Sequence, residues 1–597
     1  MQEFSVPPVV TIGDAANLTD LVWDNASAEP DTVQFSRRSA DGWQDVTCAR
    51  FQAEVIELAA GLIAAGVQVG DRVALMSRTR YEWTLVDFAI WAAGAVTVPI
   101  YETSSPEQVR WILSDARAVA CVVESAAHEA TVAAIRDETP DLREVWQIED
   151  GALDRLAETG KALGSRAVEE RRRGTGADDV ATIVYTSGTT GRPKGCVLTH
   201  RNLYADAANA VAVLPELFDP RAATLLFLPL AHSFARLIQS GVVCARCRMG
   251  YTADVKNLIA DLADFQPTFI LGVPRVFEKV YNGARQRAHA DGKGAIFDRA
   301  ARVAIAYSES LDAPGGPGLR LRLAHRVFDR LVFGKLRAAL GGHCTAVLSG
   351  GAPLGTRLAH FFRGIGVRIL EGYGLTETSP AIAVNLHNAT RIGTVGRPLP
   401  GVTVRIADDG EILVKGDVVF SGYWNNAAAT AEVLDGDGWF STGDLGSLDS
   451  EGYLSITGRK KEIIVTSGGK NVAPAVLEDR LRSHPLISQC MVVGDRQPFI
   501  AALVTIDEEA WPDWLNAHGR PADASVADLR EDESLRADIQ KAVDEANQAV
   551  SKAEAIKVFR ILRHDWSEET GEITPSLKVK RNVVLKEYAD EIAAIYA

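Results

Sequence analysis

The run Tyr185-Thr-Ser-Gly-Thr-Thr-Gly-Arg-Pro-Lys-Gly195 constrains this chain more than any other stretch. It lies between two short apolar segments, Ala181–Tyr185 and Cys196–Leu198, that read as strands. Glycine lets the backbone approach a ligand without a Cβ. The hydroxyls of Thr186, Ser187, Thr189 and Thr190, the backbone N–H groups and the cation of Lys194 then suit an array of phosphate oxygens. A Walker loop would read GxxxxGK[ST]; here Pro193 precedes the lysine, so that class is excluded. No GxSxG surrounds a serine, since Tyr185 lies two residues before Ser187, and this disfavours serine-hydrolase chemistry.

Three further clusters follow in order. Glu371-Gly-Tyr-Gly-Leu-Thr-Glu-Thr378 offers an aromatic ring for a purine (Tyr373), a hydroxyl for a phosphate (Thr376) and a carboxylate for Mg2+ (Glu377). Asp437-Gly-Trp-Phe-Ser-Thr-Gly-Asp444 ends in a carboxylate able to accept from ribose hydroxyls. Gly458-Arg-Lys-Lys-Glu462 marks a change of pattern along the chain.

The 597 residues predict several structural units. Helical patterns alternate with buried strands at Arg72–Met76, Val96–Ile100 and Ala118–Val123, which predicts a parallel sheet covered on both faces. Gly164–Asp179, with Arg171, Arg172 and Arg173 in a row, reads as a solvated surface loop. Short strands and tight turns over Gly396–Gly458 predict a small β-rich unit. A strand over Glu462–Val465, a helix from Pro474 to about Ser483, a strand pair at Gln489–Val493 and Phe499–Thr505, and helices near 527–553 and 582–596 make an α+β module. The fold class is therefore α/β: a large N-terminal domain (1–458) of layered subdomains with a β-rich part, then a smaller mobile α+β domain (459–597).

Hydrophobic residues are 47 % and charged residues 24 %, which excludes disorder as the main state. A net charge of -15 argues against nucleic acid as a partner. Seven scattered cysteines point to free thiols in a reducing compartment, and Cys244-x-x-Cys247 has no second ligand pair nearby, so buried thiols are favoured over a metal. The N-terminus lacks a signal-peptide pattern, and Phe88–Tyr101, the most apolar stretch, is too short for a bilayer span. A cytoplasmic protein, at most peripheral on a membrane, is expected. A helical insertion spans Ile296–Leu340, broken at Pro314-Gly-Gly-Pro317. There Leu321, Ala324, Phe328, Leu331 and Leu336 form an apolar stripe, and Arg322, Arg326 and Arg330 line another face. The latter are either a solvated surface or a contact for anionic lipid or polyphosphate. The sequence is silent on oligomeric state.

Taken together, the clusters resemble those of the acyl-adenylate-forming superfamily, and within it the bacterial long-chain fatty-acyl-CoA synthetases of actinobacterial type. YTSGTTGRPKG is similar to the family's phosphate loop, GYGLTET to its adenine and magnesium motif, and DGWFSTGDLGSLDSEGYLSITGRKK to the fatty-acyl-CoA synthetase signature. The resemblance implies activation of a fatty acid by ATP and Mg2+ to an acyl-adenylate, followed by transfer to coenzyme A. It implies that Thr186, Ser187, Gly188, Thr189, Thr190, Gly191 and Lys194 hold phosphates. Gly350, Gly351, Glu371, Gly372 and Tyr373 would surround adenine. Thr376 would contact the α-phosphate and Glu377 the metal, while Asp444 and Arg459 would hold ribose. His232, in LPLAHSFAR, matches a position between the carboxylate and thiol paths. Lys578, in GEITPSLKVK, matches the catalytic lysine, with Lys580 as the neighbouring alternative. Lys461 matches the hinge; Gly468 and Gly469 approach the pantetheine path, and Lys470 beside them is a cofactor contact. An amino-acid substrate is disfavoured because Leu230-Ala-His-Ser-Phe234 carries no acid for an amine; an acyl-carrier protein as acceptor is the main rival.

Overall fold

The computed structural model describes residues 2–39, 42–186, 192–254, 257–574 and 578–597. Two large sheets form its centre. The seven-stranded sheet runs, edge to edge, Gly422–Tyr423, Lys194–Thr199, Val180–Thr186, Val96–Ile100, Arg72–Met76, Ala118–Val123 and Glu144–Gln147. Its pairs from Val180–Thr186 onward are parallel, as expected for near-continuous apolar strands joined through helices. The pair Val180–Thr186 and Lys194–Thr199 is antiparallel, so the phosphate-loop motif closes a hairpin with Thr186 opposite Lys194. The nine-stranded sheet has parallel strands from Arg368–Gly374 through Ala346–Ser349, Phe269–Gly272, Ala223–Leu226 and Arg248–Tyr251 to Val33–Ser39, with antiparallel strands at both ends.

The largest apolar core lies between these sheets and is filled by the helices Cys48–Ala64, Tyr81–Ala92, His200–Val213 and Ser233–Ala245. The run Phe88–Ala93 is completely enclosed there, which explains its apolar composition without a membrane. Among the described residues no helix is long and apolar enough to cross one. The Ser233–Ala245 helix is pinned from within. Arg236 Nη2 donates to Asp87 at 2.7 Å, with both side chains buried, and Arg236 Nη1 donates to Thr182 Oγ1 at 2.6 Å. Gln239 Nε2 donates to the same carboxylate at 2.9 Å, and the guanidinium faces the rings of Trp83 and Trp91. Buried charge is tolerated only when paired and hydrogen-bonded, and here helix Tyr81–Ala92, strand Val180–Thr186 and helix Ser233–Ala245 share one network.

The β-rich unit is an antiparallel five-stranded sheet in the order Gln2–Ser5, Val402–Ile406, Glu411–Gly416, Phe440–Leu448, Leu454–Arg459. Its first strand comes from the N-terminus, a non-local pairing that no sequence pattern announces. After Arg459 the chain makes a 3-10 turn, Lys460–Glu462, and builds separate cores around the strands Ile487–Val493, Ile500–Ile506 and Ile556–Ile561.

Several expectations are corrected. Gly164–Arg173 is a helix: Arg166–Glu170 and Glu169–Arg173 pair one turn apart, which supports helix in a segment whose polarity reads as loop. Arg172 is buried, not solvated; it pairs with Asp20 and Glu169 and stacks over Trp23. The strand placed at Glu462–Val465 shrinks to Ile464–Val465, paired with Asn471–Val472, because the 3-10 turn takes its first residue. In the insertion, Leu331 leaves the inward stripe: the backbone widens into a π turn over Asp329–Phe333, which buries Phe333 and exposes Leu331. All seven cysteines are free, and Cys247 is buried with its thiol donating to the Asp219 carbonyl.

Removing one partner of the central buried pair strands the other charge. Asp87→Ala is expected to destabilise the chain by about 3–5 kcal/mol in chemical denaturation, whereas Asp87→Leu with Arg236→Met should recover most of that loss. A single variant as stable as the parent would show that the pair is not structural.

Candidate active site

The four clusters converge on one cleft of about 1270 Å³ between the large domain and the C-terminal module. Strand ends bring them there. Thr186 and Lys194 close the hairpin mouth of the seven-stranded sheet; Ser187, Gly188, Thr189, Thr190 and Gly191 lie outside the described residues. Gly350 and Gly351 follow the strand Ala346–Ser349, and Glu371, Gly372 and Tyr373 end its parallel neighbour Arg368–Gly374. This is the carboxyl edge of a parallel sheet, where α/β folds place ligands.

On the phosphate side, Lys194 Nζ lies 4.9 Å above the ring of Tyr423, and Tyr423 donates through its hydroxyl to Glu377 Oε1 at 2.8 Å. Glu377 sits in the 3-10 turn Thr376–Thr378, and its neighbour Thr376 is 3.3 Å from the hydroxyl of Ser233. Tyr423 is thus a site residue that sequence reasoning missed; its short strand beside Lys194–Thr199 carries no distinguishing motif. A lone carboxylate beside a lysine suits Mg2+, which takes one or two protein oxygens and fills its remaining positions with phosphate and water. Among the described residues no group of three or more acidic, His or Cys side chains forms a protein cage for a metal.

On the ribose side, Asp444 and Arg459 are register partners on adjacent strands, and Arg459 Nε donates to Asp444 Oδ1 at 2.8 Å. Tyr373 donates to the other carboxylate oxygen at 2.7 Å, and burial, then the nearby Asp444 charge, raise its phenol pKa. Tyr373 is therefore anchored edge-on through its hydroxyl, leaving its ring to wall the cleft. Glu371 is not exposed to the cleft in this way: its carboxylate accepts from Leu354 N–H at 2.9 Å, and burial raises its pKa to about 7. It holds the Gly350–Leu354 turn through that hydrogen bond. Gly351 has φ +83°, and a Cβ there would stand 3.9 Å from Lys578 Cε.

Lys578 reaches the cleft from the C-terminal module. Its own surface is open to the cavity, yet protein surrounds it, and this desolvation, with Arg459 next, lowers its ammonium pKa; Asp444, Glu377 and Glu462 oppose the shift. A local hydrogen-bonded turn fixes the lysine, since Thr574 N–H donates to the Lys578 carbonyl at 2.8 Å and Lys578 N–H donates to Thr574 Oγ1 at 3.0 Å. Lys580 lines the same cleft but its N–H is tied back to Glu572. His232 caps the Ser233–Ala245 helix; its Nδ1 accepts from Phe234 N–H at 3.2 Å. Burial, then the charge of Lys578, lower its pKa to about 3, so the ring is neutral with its proton on Nε2.

Beside His232 the cleft wall is apolar, made by Phe234, Leu237, Ile238, Leu214 and Phe218, with Gly241 against Phe218. A Cβ on Gly241 would meet the Phe218 ring at 3.1 Å. The Val273–Glu278 segment instead borders a smaller cavity of about 210 Å³ at the domain junction, which Lys578 also borders. Across that junction Arg275 pairs with Asp507 at 2.7 Å and Lys279 with Glu509 at 2.8 Å. Lys470 is not brought to the cleft; its ammonium pairs with Glu554 at 3.3 Å, on the hairpin that follows Lys461.

The family model described as AMP-binding enzyme matches residues 22–424, and the one described as AMP-binding enzyme C-terminal domain matches 461–597. Long-chain-fatty-acid–CoA ligase FadD15 of Mycobacterium bovis is 55 % identical over 100 % of both chains, and FadD15 of Mycobacterium tuberculosis 54 % over the same span. The crystal structure of ATP-bound MatB from Rhodopseudomonas palustris superposes with a TM-score of 0.70 at 26 % identity, covering 98 % of this chain and 100 % of that one. On these matches the chain belongs to the AMP-binding, acyl-adenylate-forming enzymes.

Proposed function

We propose that this enzyme joins a long-chain fatty acid to coenzyme A through a fatty acyl-adenylate, using ATP and Mg2+. The observation that carries the reading is that one cleft joins a cationic, hydroxyl-lined end to an apolar part lined by Phe234, Leu237, Ile238 and Phe218, with His232 also on its wall. The full-length likeness to long-chain-fatty-acid–CoA ligases supports the same substrate class. Seven free thiols support a reducing, cytoplasmic setting, with any hold on a bilayer made from its surface.

In the first step a carboxylate oxygen attacks the α-phosphorus; the new bond is C(O)O–P, and the bond to the pyrophosphate oxygen breaks. Two anions must meet, so positive charge and preorganised donors are the main requirement. Lys194 is held beside Glu377 by Tyr423, and Lys578 stands over Gly351, so the cations are in place before reaction. Glu377 would hold Mg2+, which when bound neutralises phosphate charge. Thr376 would donate to the α-phosphate, with Ser233 keeping its hydroxyl oriented, and Asp444 and Arg459 would hold ribose. Neutral His232, protonated on Nε2, can donate to the substrate carboxylate without adding a permanent charge.

In the second step the thiol sulfur attacks the acyl carbonyl, the C–O bond to AMP breaks, and the thiol proton is lost. Lys578 occupies the space beside Gly351, so the thiol needs it withdrawn. We place that movement at the Lys460–Glu462 turn, with Lys461 as its hinge and 459–597 as the moving unit. Gly468, Gly469 and Lys470, outside the cleft here, would approach in the second arrangement.

Three outcomes are expected. Lys578→Ala should slow pyrophosphate release roughly 10²–10³-fold, the usual loss for one transition-state donor, while leaving conversion of pre-made acyl-adenylate to acyl-CoA near normal. Because Lys578 acts as the ammonium and its pKa is lowered, adenylation should fall as pH rises through a value below the ordinary ~10.4, and Lys578→Arg, which does not titrate there, should lose that limb. Equal loss of both half-reactions, or an unchanged alkaline limb in the arginine variant, would remove Lys578 from the chemistry. Gly241→Leu should shift the optimum to acids shorter by about two to four methylenes, with kcat/KM changing gradually at about 0.8 kcal/mol per methylene; an unchanged chain-length profile would place the channel end elsewhere.

A further inference from the structure

The helix Leu319–Phe328 and the turn after it have two unlike faces. Leu321, Ala324, His325 and Phe328 face the protein: His325 hydrogen-bonds the Gly364 carbonyl at 2.7 Å and stacks on Tyr307, and Phe328 packs on the helical core. The opposite face carries Leu319, Leu323, Val327 and Leu331, which are 84, 66, 49 and 54 % exposed. These recur every fourth residue, so at 3.6 residues per turn they form one slowly winding stripe about 18 Å long. Arg322, Arg326 and Arg330 form a parallel row directly beside it, all exposed. None of the three makes an ion pair among the described residues; the one acid in the segment, Asp329, is taken by Arg337 at 2.7 Å.

We propose that this face is a docking surface for an anionic lipid bilayer, lying in the plane of the headgroups. Exposed leucines at regular intervals cost free energy in water and are normally avoided on monomer surfaces. An unneutralised guanidinium row beside them matches the boundary between phosphate headgroups and acyl chains, where arginine stems lie along apolar surface while their heads stay at the anions. The chain as a whole carries -15, so attraction to an anionic membrane must come from a local patch of this kind. A second copy of the chain fits less well, because a twofold contact would bring two arginine rows together with no acid between them. None of these residues lines the cleft or the junction cavity, so docking leaves the site residues free.

The test is co-sedimentation of the full chain with phosphatidylcholine vesicles, with and without phosphatidylglycerol. The parent should bind the anionic vesicles and be released by salt. Arg322→Gln with Arg326→Gln and Arg330→Gln should lower the partition coefficient on the order of 10²-fold at low salt. Leu319→Ser with Leu323→Ser and Val327→Ser should also weaken binding, without restoring it at any salt. Both variants should turn over a short, water-soluble fatty acid at the parent rate, which shows that they are folded. The proposal is overturned if the parent does not sediment with anionic vesicles, if either variant sediments like the parent, or if sedimentation velocity finds a parent dimer that the serine variant makes monomeric.

Discussion

The Arg236–Asp87 pair is the constraint on which the site's geometry rests. It fixes the Ser233–Ala245 helix between two sheets with two charged hydrogen bonds, a third from Gln239, and two indole faces. That helix carries His232 at its cap, Ser233 beside Thr376, and the apolar channel wall from Phe234 to Gly241. In the proposed function its position would set both where the carboxylate meets the nucleotide and how far the acyl chain extends. An apolar core alone would hold the helix in place but would tolerate sliding; a buried guanidinium with fixed partners does not.

Around this frame the charges are arranged to be complete only when the two domains meet. Lys194 and Glu377 belong to the large domain and are joined by Tyr423, while Lys578 arrives from the C-terminal module and neighbours Gly351. The junction that delivers it is polar: Arg275–Asp507 is a part-buried ion pair and Lys279–Glu509 an exposed one worth little by itself. A contact of this kind orients a domain without locking it, which suits the withdrawal of Lys578 proposed for the second step.

The site was legible in the sequence to an unusual degree because its parts are local. Glycines at a sheet edge, a threonine–glutamate turn and an aspartate opposite an arginine each need particular residues at fixed spacing, so the motifs point to Lys194, Glu377, Asp444 and Arg459, and the resemblance to Lys578, as candidates that the structure gathers around one cleft. What sequence could not give was contact between distant segments. Tyr423 joins Lys194 to Glu377 from a two-residue strand, Gln2–Ser5 pairs with Val402–Ile406, and Asp87 meets Arg236. Nor does composition distinguish a polar helix from a polar loop. Gly164–Arg173 is helical because its charges pair along one face and Arg172 turns inward. Glu371 sits within a recognised motif, yet it supports the Leu354 turn, a division of labour that only the hydrogen bond reveals.

The central claim is that one domain arrangement makes the adenylate and that a different one uses it. The direct measurement is a cross-link across the junction, with Lys279→Cys and Glu509→Cys joined by a short bismaleimide while the parent cysteines, mostly buried, stay unreacted. The linked enzyme should still release pyrophosphate and accumulate bound acyl-adenylate, but should form almost no acyl-CoA. Acyl-CoA formation at the unlinked rate would mean that Lys578 never has to leave the cleft, and the account would be wrong.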